Sequence, residues 1–245
     1  MRILSNLNNC IKNKGAGFII LIDPDKKNDK KIDQIVESAN NNNVDAIFVG
    51  GSIMMDRFYH KRIERIKNIS DIPVILFPGG VNQINKHYDA MLFISLISGR
   101  NPHYLIGEQV IAAPIVNDYG IETIPTGYLL IDGGSPTTVE YVSGTKPLPP
   151  NRPDIIISHA LAAQFMGMQL LYLEAGSGAL NRVPIDVINK VSNEISLNLI
   201  VGGGIKKPEE AFEIVNAGAS LVVIGSALEQ SLDLIKDFSS AIHFK

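Results

Sequence analysis

Apolar residues are grouped along the chain into short runs rich in Val, Ile and Leu, and amphipathic stretches separate these runs. The clearest pair lies near the end of the chain, where LIVGGGI (199–205) and LVVIGSA (221–227) flank a stretch of helical spacing at 208–218. A short, nearly continuous apolar run is typical of a strand that is covered on both faces in a parallel sheet. The pair therefore predicts two parallel strands that are joined by a helix and end in glycine.

The same alternation extends over the whole chain and predicts eight strands. The other strands are expected at 17–25, 44–52, 73–77, 90–95, 120–132 and 169–178, and the other helices at 2–13, 29–39, 54–67, 104–119, 153–168, 184–196 and 228–238. Only about a dozen residues separate the third strand from the fourth, which leaves room for a short turn of helix at most. We predict an α/β protein, a (β/α)8 TIM barrel with a shortened or missing third helix, in a single domain over residues 1–245. The proline-rich stretch 145–153 is interpreted as part of a functional insertion, since the strand count continues in register beyond it.

Composition narrows the class of protein. The 245 residues carry a net charge of −3, and no basic run resembles a nucleic-acid or membrane patch. Cys10 is the only cysteine, which excludes a disulfide framework and a cysteine metal cluster, and the five histidines show no metal-binding spacing. With neither a signal peptide pattern nor an uninterrupted apolar run of membrane-spanning length, the sequence leads us to expect a cytoplasmic protein without an integral membrane segment.

The glycines that follow the last two strands indicate a phosphate site. Gly203 and Gly204 follow the seventh strand, and Gly225 and Ser226 follow the eighth. Backbone N–H groups at such turns bind anions with help from the helix dipole, and TIM barrels hold phosphates at these two loops. Tight turns alone also explain glycine at a single strand end, but two such turns in succession favour phosphate.

Other polar groups at strand ends would share the same barrel mouth. They are Asp23, Asp25, Ser52, Tyr172 and Glu174. Carboxylate and hydroxyl oxygens with incomplete coordination suit Mg²⁺ when the phosphates of a substrate supply its remaining ligands. A structural role is the alternative for the aspartates, as turn or cap residues, and Asp29 is expected to cap the helix that follows. Glu174 ends an apolar strand, where an acidic group is costly unless it has a partner or a function.

Several motifs in combination resemble one enzyme family. They are YLEAGSG, VGGGI and IGSA together with IDPDK, FVGGS, SGRNPHYLIG, IPTGYLLIDGG and TVEYVSGTKPLP. The chain resembles the geranylgeranylglyceryl phosphate synthase family, whose superfamily includes bacterial members that make the heptaprenyl analogue. The resemblance implies a Mg²⁺-dependent prenyltransferase of ether phospholipid biosynthesis. It would join sn-glycerol 1-phosphate to a polyprenyl diphosphate, for which geranylgeranyl diphosphate is the best match, and release diphosphate.

The resemblance also implies roles for particular residues. Asp23 and Ser52 would be the Mg²⁺ ligands, Glu174 with Tyr172 would be catalytic, and Asp25 would support the metal ligands. The substrate-binding residues would be Tyr172, Leu173, Glu174, Ala175, Gly176, Ser177, Gly178, Gly203, Gly204, Gly225 and Ser226. Part of the family has a lysine where this chain has Leu21. This chain is closer to the longer-loop branch that lacks the lysine, so backbone N–H groups would neutralise the phosphate. Members of the family are homo-oligomers, which implies a dimer or a hexamer.

The prenyl chain requires an apolar groove that leaves the mouth, and the shortened third unit is a place where the barrel wall opens. Candidate groove residues are Leu92 to Ile97, Tyr104, Leu105, Ile124 and Tyr128, although core packing explains each of them as well. Two other functions remain open at this point. A phosphosugar isomerase or epimerase barrel would need a second acid or base such as Asp132, and a non-enzymatic phosphate-ligand binder would not depend on Glu174.

Overall fold

A computed structural model describes residues 2–243, apart from the side chain of Gln230. Within these residues, eight parallel strands pair in sequence order and β8 pairs with β1, so the sheet closes into a barrel. The strands are β1 (Gly17–Ile22), β2 (Ala46–Val49), β3 (Val74–Leu76), β4 (Ala90–Ser95), β5 (Glu122–Leu130), β6 (Leu170–Glu174), β7 (Asn198–Gly202) and β8 (Leu221–Ile224). The predicted TIM barrel is confirmed.

Helices pack around the barrel, most of them against its outer face. They are α1 (Ile3–Lys14), α2 (Ile32–Asn41), α3 (Tyr59–Ile69), α4 (Glu108–Tyr119), α5 (Thr138–Ser143), α6 (Pro153–Phe165), α7 (Ile185–Glu194), α8 (Pro208–Asn216), α9 (Ser226–Gln230) and α10 (Leu234–Ile242). Between β3 and β4 the described chain forms only a short 3-10 turn at Val81–Gln83. The shortened third unit is therefore confirmed.

The apolar side chains form two layers because neighbouring residues of each strand point to opposite faces. One layer fills the space between the strands and the surrounding helices, where Leu173 and Ala175 are buried. The other fills the barrel interior and includes Phe48, Tyr128 and Tyr172. Leu7 of α1 is 2% exposed and belongs to this inner layer, so α1 closes the end of the barrel at which the strands begin.

The structure differs from the sequence prediction at several boundaries. Most strands end two or more residues before the predicted position because glycines and Pro24 redirect the backbone. One helix was predicted at 228–238, but the chain forms α9 and α10 with a break between Gln230 and Leu234. The short helix α5 was not predicted. The capping role of Asp29 is wrong, because α2 begins at Ile32 and the Asp29 carboxylate instead binds Arg62 and Arg65.

No helix within residues 2–243 is long and apolar enough to cross a membrane.

Candidate active site

A cavity of about 460 Å³ opens at the carboxyl ends of the strands. Its polar part is lined by Asp23, Ser52 and Glu174 together with the glycines after β7 and β8. Its other part is apolar and is lined by Phe93, Ile94, Leu96, Tyr104 and Val142. One continuous space therefore joins a polar pocket to an apolar groove.

Glu174 ends β6 inside the mouth and is only 6% exposed. Its Oε1 accepts a hydrogen bond from the backbone N–H of Gly176 at 2.7 Å. Burial raises the pKa of this carboxyl to about 7, although the Gly176 hydrogen bond opposes the shift. A carboxyl group with a pKa near neutrality can take up a proton during a reaction, so Glu174 has the properties of a general base.

Tyr172 lies two residues before Glu174 and points into the same space. A Cβ atom on Gly202 would contact both the Tyr172 hydroxyl and Glu174 Oε2, which places the two groups side by side. The Tyr172 ring stacks on Phe77 with the ring centroids 5.3 Å apart. Its buried hydroxyl makes no hydrogen bond of regular geometry to any residue from 2 to 243. This hydroxyl is therefore a positioned group that has hydrogen-bonding capacity left for a ligand.

The glycine turns after β6, β7 and β8 form a cradle beside Glu174. Gly203 and Gly204 have φ angles of +82° and +70°, a left-handed conformation that favours glycine. A Cβ atom on Gly203 would lie 2.7 Å from the Gly176 nitrogen, so the β6 and β7 loops are in close contact. Within the described chain, the backbone N–H groups of Gly203, Gly204, Gly225 and Ser226 donate no hydrogen bond. These free donors fit the phosphate site that the sequence indicated.

The remaining substrate-binding candidates are placed less directly. Ser177 lines the cavity, whereas Gly176 and Gly178 shape the loop through φ angles of +101° and +72°. Leu173 and Ala175 belong to the layer between strands and helices, facing away from the mouth. Any contribution of these two residues to binding would therefore come from the backbone.

The two candidate metal ligands follow neighbouring strands. A Cβ atom on Gly51, the residue before Ser52, would lie 3.0 Å from Asp23 Oδ1, so the Asp23 carboxylate lies against the β2 loop. Burial raises the pKa of Asp23 to about 6, with repulsion from Asp25 and Glu229 adding to the shift and Lys27 opposing it. A carboxylate whose burial is not fully compensated, in a cavity that Ser52 also lines, fits a hard divalent cation such as Mg²⁺. Asp25 instead caps a 3-10 turn by accepting from the Lys26 N–H at 2.5 Å, and it does not line the cavity.

Sequence reasoning missed two residues near this pair. Lys27 is one of them, since its Nζ lies 3.9 Å from Asp23 Oδ2 and its side chain lines the cavity. Gln83 is 1% exposed and connects two loops, since it donates to the Gly51 carbonyl at 2.6 Å and accepts from the Gly79 N–H at 2.9 Å. The dense lysines at 26–31 were a signal for the first residue, whereas no local pattern indicates the second.

The groove candidates divide into two groups. Phe93, Ile94, Leu96, Tyr104 and Tyr128 line the cavity, and Val139 and Val142 of α5 line it as well. Leu92 and Ile124 are instead buried in the barrel interior, and Ile97 packs between strands and helices. Helix α5 lies in the long connection between β5 and α6 that contains the predicted insertion, so this connection supplies part of the groove wall. Asp132 is exposed and accepts from the Gly134 N–H at 2.8 Å outside the cavity lining, so it is not placed to act as a second acid or base.

The chain matches the PcrB family over residues 8–242. It is 42% identical to the geranylgeranylglyceryl phosphate synthase of Chitinophaga pinensis, with 96% of this chain and 95% of that protein covered. It is also 42% identical to the protein of the same name from Methanosphaera stadtmanae, with 99% and 100% covered.

Among solved structures, the (S)-3-O-geranylgeranylglyceryl phosphate synthase of Thermoplasma acidophilum superimposes with a TM-score of 0.93 at 35% identity. The alignment covers 99% of both chains, and that crystal structure contains the substrate sn-glycerol-1-phosphate. The similarity thus extends over the barrel, the mouth and the insertion.

Proposed function

The chain belongs to the PcrB family, and we propose that it joins sn-glycerol 1-phosphate to a polyprenyl diphosphate, with geranylgeranyl diphosphate as the best candidate donor. The product would be an ether-linked prenylglyceryl phosphate, and diphosphate would leave. The observation that supports this proposal most directly is that Glu174, a cradle of free N–H groups and an apolar groove all line one continuous cavity. The similarity to a synthase that binds sn-glycerol-1-phosphate supports it.

The acceptor would bind in the cradle. Its phosphate would accept hydrogen bonds from the free N–H groups of Gly203, Gly204, Gly225 and Ser226, and no cationic side chain is required there. The glycerol hydroxyls would then face Glu174 and the Tyr172 hydroxyl. Stacking on Phe77 restricts the Tyr172 ring, so its hydroxyl is held in place before the ligand arrives.

The bond-forming step would use Glu174 as the base. As the glycerol 3-hydroxyl oxygen attacks C1 of the prenyl group, its proton passes to the Glu174 carboxylate. The new C–O bond forms while the bond from C1 to the diphosphate oxygen breaks, and the diphosphate takes the electron pair. The apolar side chains at Phe93, Ile94 and Leu96 keep water away from C1, which would otherwise compete with glycerol.

We propose Mg²⁺ as the cofactor, held by Asp23 and Ser52. The ion, when bound, neutralises the charge that builds up on the departing diphosphate. Lys27 lies beside Asp23 and would add a second positive charge on the same side of the mouth. In this arrangement the diphosphate would lie at the β1 and β2 loops and the acceptor phosphate at the β7 and β8 loops.

We also propose that the protein is a homo-oligomer, a dimer or a hexamer. Val110, Ile111 and Ile115 of α4 are exposed by 64%, 53% and 38% in the single chain, and Tyr119 is exposed by 46%. An apolar surface of this kind is typical of protein contact sites. Light scattering coupled to gel filtration tests the proposal, and a monomer at micromolar concentration would contradict it.

A transfer assay tests the proposed reaction. Purified protein is incubated with radiolabelled sn-glycerol 1-phosphate, Mg²⁺ and prenyl diphosphates of several lengths, and label is counted in the organic phase. We expect an organic-soluble product that is lost with EDTA and greatly reduced with sn-glycerol 3-phosphate. Absence of product at every chain length would contradict the proposal. Full activity of Glu174→Gln would instead favour a different catalytic group, and ligand binding without product at any chain length would favour a binding protein.

A further inference from the structure

A second cluster of ligand-type side chains lies at the opposite end of the barrel from the cavity. Cys10 is on α1, Asp45 immediately precedes β2, and His243 immediately follows α10. The Cys10 sulfur, a carboxylate oxygen of Asp45 and a ring nitrogen of His243 all lie within 4.8 Å of one another. Ser52 follows the other end of β2, so this cluster is separated from the mouth by the length of a strand.

The Asp45 carboxylate, at the centre of the cluster, has three polar contacts among the described residues. Asp45 Oδ2 accepts from the backbone N–H of Phe18 at 2.8 Å and lies 2.8 Å from His243 Nε2. Its Oδ1 lies 2.5 Å from Lys14 Nζ. The Asp45 side chain is 8% exposed and the His243 side chain 13%. The two ends of the chain therefore meet on one buried carboxylate, and Cys10 lies beside it.

We propose that Cys10, Asp45 and His243 form a binding site for a divalent transition-metal ion of the zinc class, with water as the fourth ligand. A thiolate, an imidazole and a carboxylate together favour Zn²⁺ or Co²⁺ over Mg²⁺, which binds oxygen ligands. In a tetrahedral zinc site the ligand atoms are roughly 3.3–3.8 Å apart, so side-chain adjustments of about 1 Å are sufficient here. When the ion binds, the thiol proton of Cys10 passes to solvent, and His243 binds through Nε2 as the neutral imidazole with its proton on Nδ1. The contacts of Asp45 with His243 Nε2 and with the Lys14 ammonium group are given up for bonds to the ion.

Lys14 is the natural competitor of the ion. Its ammonium group is the positive charge that now neutralises Asp45, and the side chain is 37% exposed. It can therefore turn into solvent when a metal ion takes its place. Replacing Lys14 by a neutral side chain should strengthen metal binding, whereas replacing a ligand should weaken it. These opposite effects on metal affinity distinguish a metal site from a cluster that only stabilises the fold.

A Co²⁺ titration of the full-length, chelator-treated protein tests the site. We expect one equivalent to bind with a near-ultraviolet band from thiolate-to-Co²⁺ charge transfer, Zn²⁺ to displace it, and Mg²⁺ to leave it unchanged. Cys10→Ser should lose the charge-transfer band, His243→Gln should weaken binding at least about tenfold, and Lys14→Gln should tighten it. At a hundredfold excess over Kd, Zn²⁺ should raise Tm by about 5 °C or more, because the ion connects α1 to the end of α10.

Melting curves without metal establish that each variant is folded. His243→Gln provides the test if Cys10→Ser is unstable, since His243 lies at the very end of the described chain. Three results would overturn the proposal: no charge-transfer band in the wild type, the same band in Cys10→Ser, or unchanged Co²⁺ affinity in His243→Gln. Because no residue of this cluster lines the active-site cavity, transferase activity is not a readout of the test.

Discussion

Arg62 of α3 donates a hydrogen bond from Nη1 to the backbone carbonyl of Pro24, 3.3 Å away. The same guanidinium binds Asp29 through Nε at 2.9 Å and Asp56 through Nη1 at 2.9 Å. Pro24 and Asp29 belong to the loop after β1, and Asp56 belongs to the loop after β2. A side chain that is only 6% exposed thus connects the two loops that carry Asp23 and Ser52.

Substitution of Arg62 should therefore affect the diphosphate half of the site. Lysine keeps the charge but lacks the planar fork that reaches three acceptors at once. In Arg62→Lys we expect the Mg²⁺ concentration for half-maximal rate and the KM for prenyl diphosphate to rise about tenfold. The KM for glycerol phosphate should change little. Steady-state kinetics with each substrate varied in turn provide the measurement.

Arg65→Lys is the matched control, because Arg65 lies on the same helix and pairs with Asp33 and Asp29 at a side-chain exposure of 38%. It should leave all three parameters near the wild-type values. Equal effects of the two substitutions, or a selective change in the glycerol phosphate KM, would contradict the role assigned to Arg62.

Glu174→Gln should lower kcat by roughly 10²–10⁴-fold, because the amide keeps the shape of the side chain but accepts no proton. The variant should still bind glycerol phosphate, which is measurable by calorimetry. Glu194→Gln, at an exposed position on α7, serves as the control and should be fully active. A rate for Glu174→Gln within threefold of wild type would remove Glu174 from its proposed role as base.

The raised pKa of Glu174 predicts how rate and stability depend on pH. The ionised form is the base, so kcat/KM should rise with pH and level off above about 7. The folded state binds this proton more tightly than the unfolded state, in which the pKa is near 4.5. The Glu174 contribution to the free energy of unfolding should therefore fall as pH rises from about 4.5 to 7, by on the order of 3 kcal/mol. Urea unfolding of wild type and Glu174→Gln across this range isolates the contribution, and an identical pH dependence in both would contradict it.

Gly203→Ala should abolish activity more completely than it destabilises the fold. The new methyl group would overlap Glu174 Oε1 and approach the Gly176 nitrogen, so the carboxylate would have to move. We expect the transfer rate to fall at least about 100-fold, since small displacements of a positioned group are costly in catalysis. Calorimetric binding of glycerol phosphate should weaken as well.

Gly120→Ala separates backbone strain from this displacement. Gly120 also has a left-handed φ, +65°, but a Cβ atom there would meet nothing within 4 Å. Its expected cost is about 1 kcal/mol of stability with normal activity. If both variants lost activity in proportion to their stability, the specific role of Gly203 would be wrong.

Asp23→Asn and Asp25→Asn should differ sharply although the residues are two positions apart. Asp23 faces the cavity, whereas Asp25 caps a turn, a role that asparagine also fills. We expect Asp23→Asn to weaken Mg²⁺-dependent binding of prenyl diphosphate more than tenfold and to spare glycerol phosphate binding. Asp25→Asn should spare both. Isothermal titration with and without EDTA measures each affinity, and the reverse pattern would overturn the division of the mouth into two halves.

The sequence was informative wherever a local pattern reports a backbone property. The apolar run at β4 predicted its bounds, Ala90–Ser95, and the glycines after β7 indicated a turn with free N–H groups. For β6, the sequence predicts a strand that extends to Gly178, but the strand ends at Glu174. Gly176 and Gly178 take left-handed φ angles after it, which the composition of the stretch does not show. Boundaries at glycine-rich strand ends therefore needed the structure.

Side-chain partners that are distant along the chain were beyond the sequence. Asp29 is of a residue type that is common at helix N-termini, but its carboxylate binds Arg62, 33 residues away. His243 shows no metal-binding spacing, yet its ring lies beside Asp45, 198 residues earlier. The first contact joins neighbouring strand–helix units. The second forms because barrel closure brings the last described helix next to the first strands. No local sequence pattern records either contact.

The most direct test of the central claim follows the oxygen atom of the new ether bond. sn-Glycerol 1-phosphate carrying ¹⁸O at the 3-hydroxyl is incubated with the enzyme, Mg²⁺ and geranylgeranyl diphosphate, and both products are analysed by mass spectrometry. Attack by the glycerol oxygen on the prenyl C1 predicts ¹⁸O in the prenylglyceryl phosphate and unlabelled diphosphate. Label in the diphosphate, an unlabelled lipid product, or no prenylglyceryl phosphate at all would contradict the account.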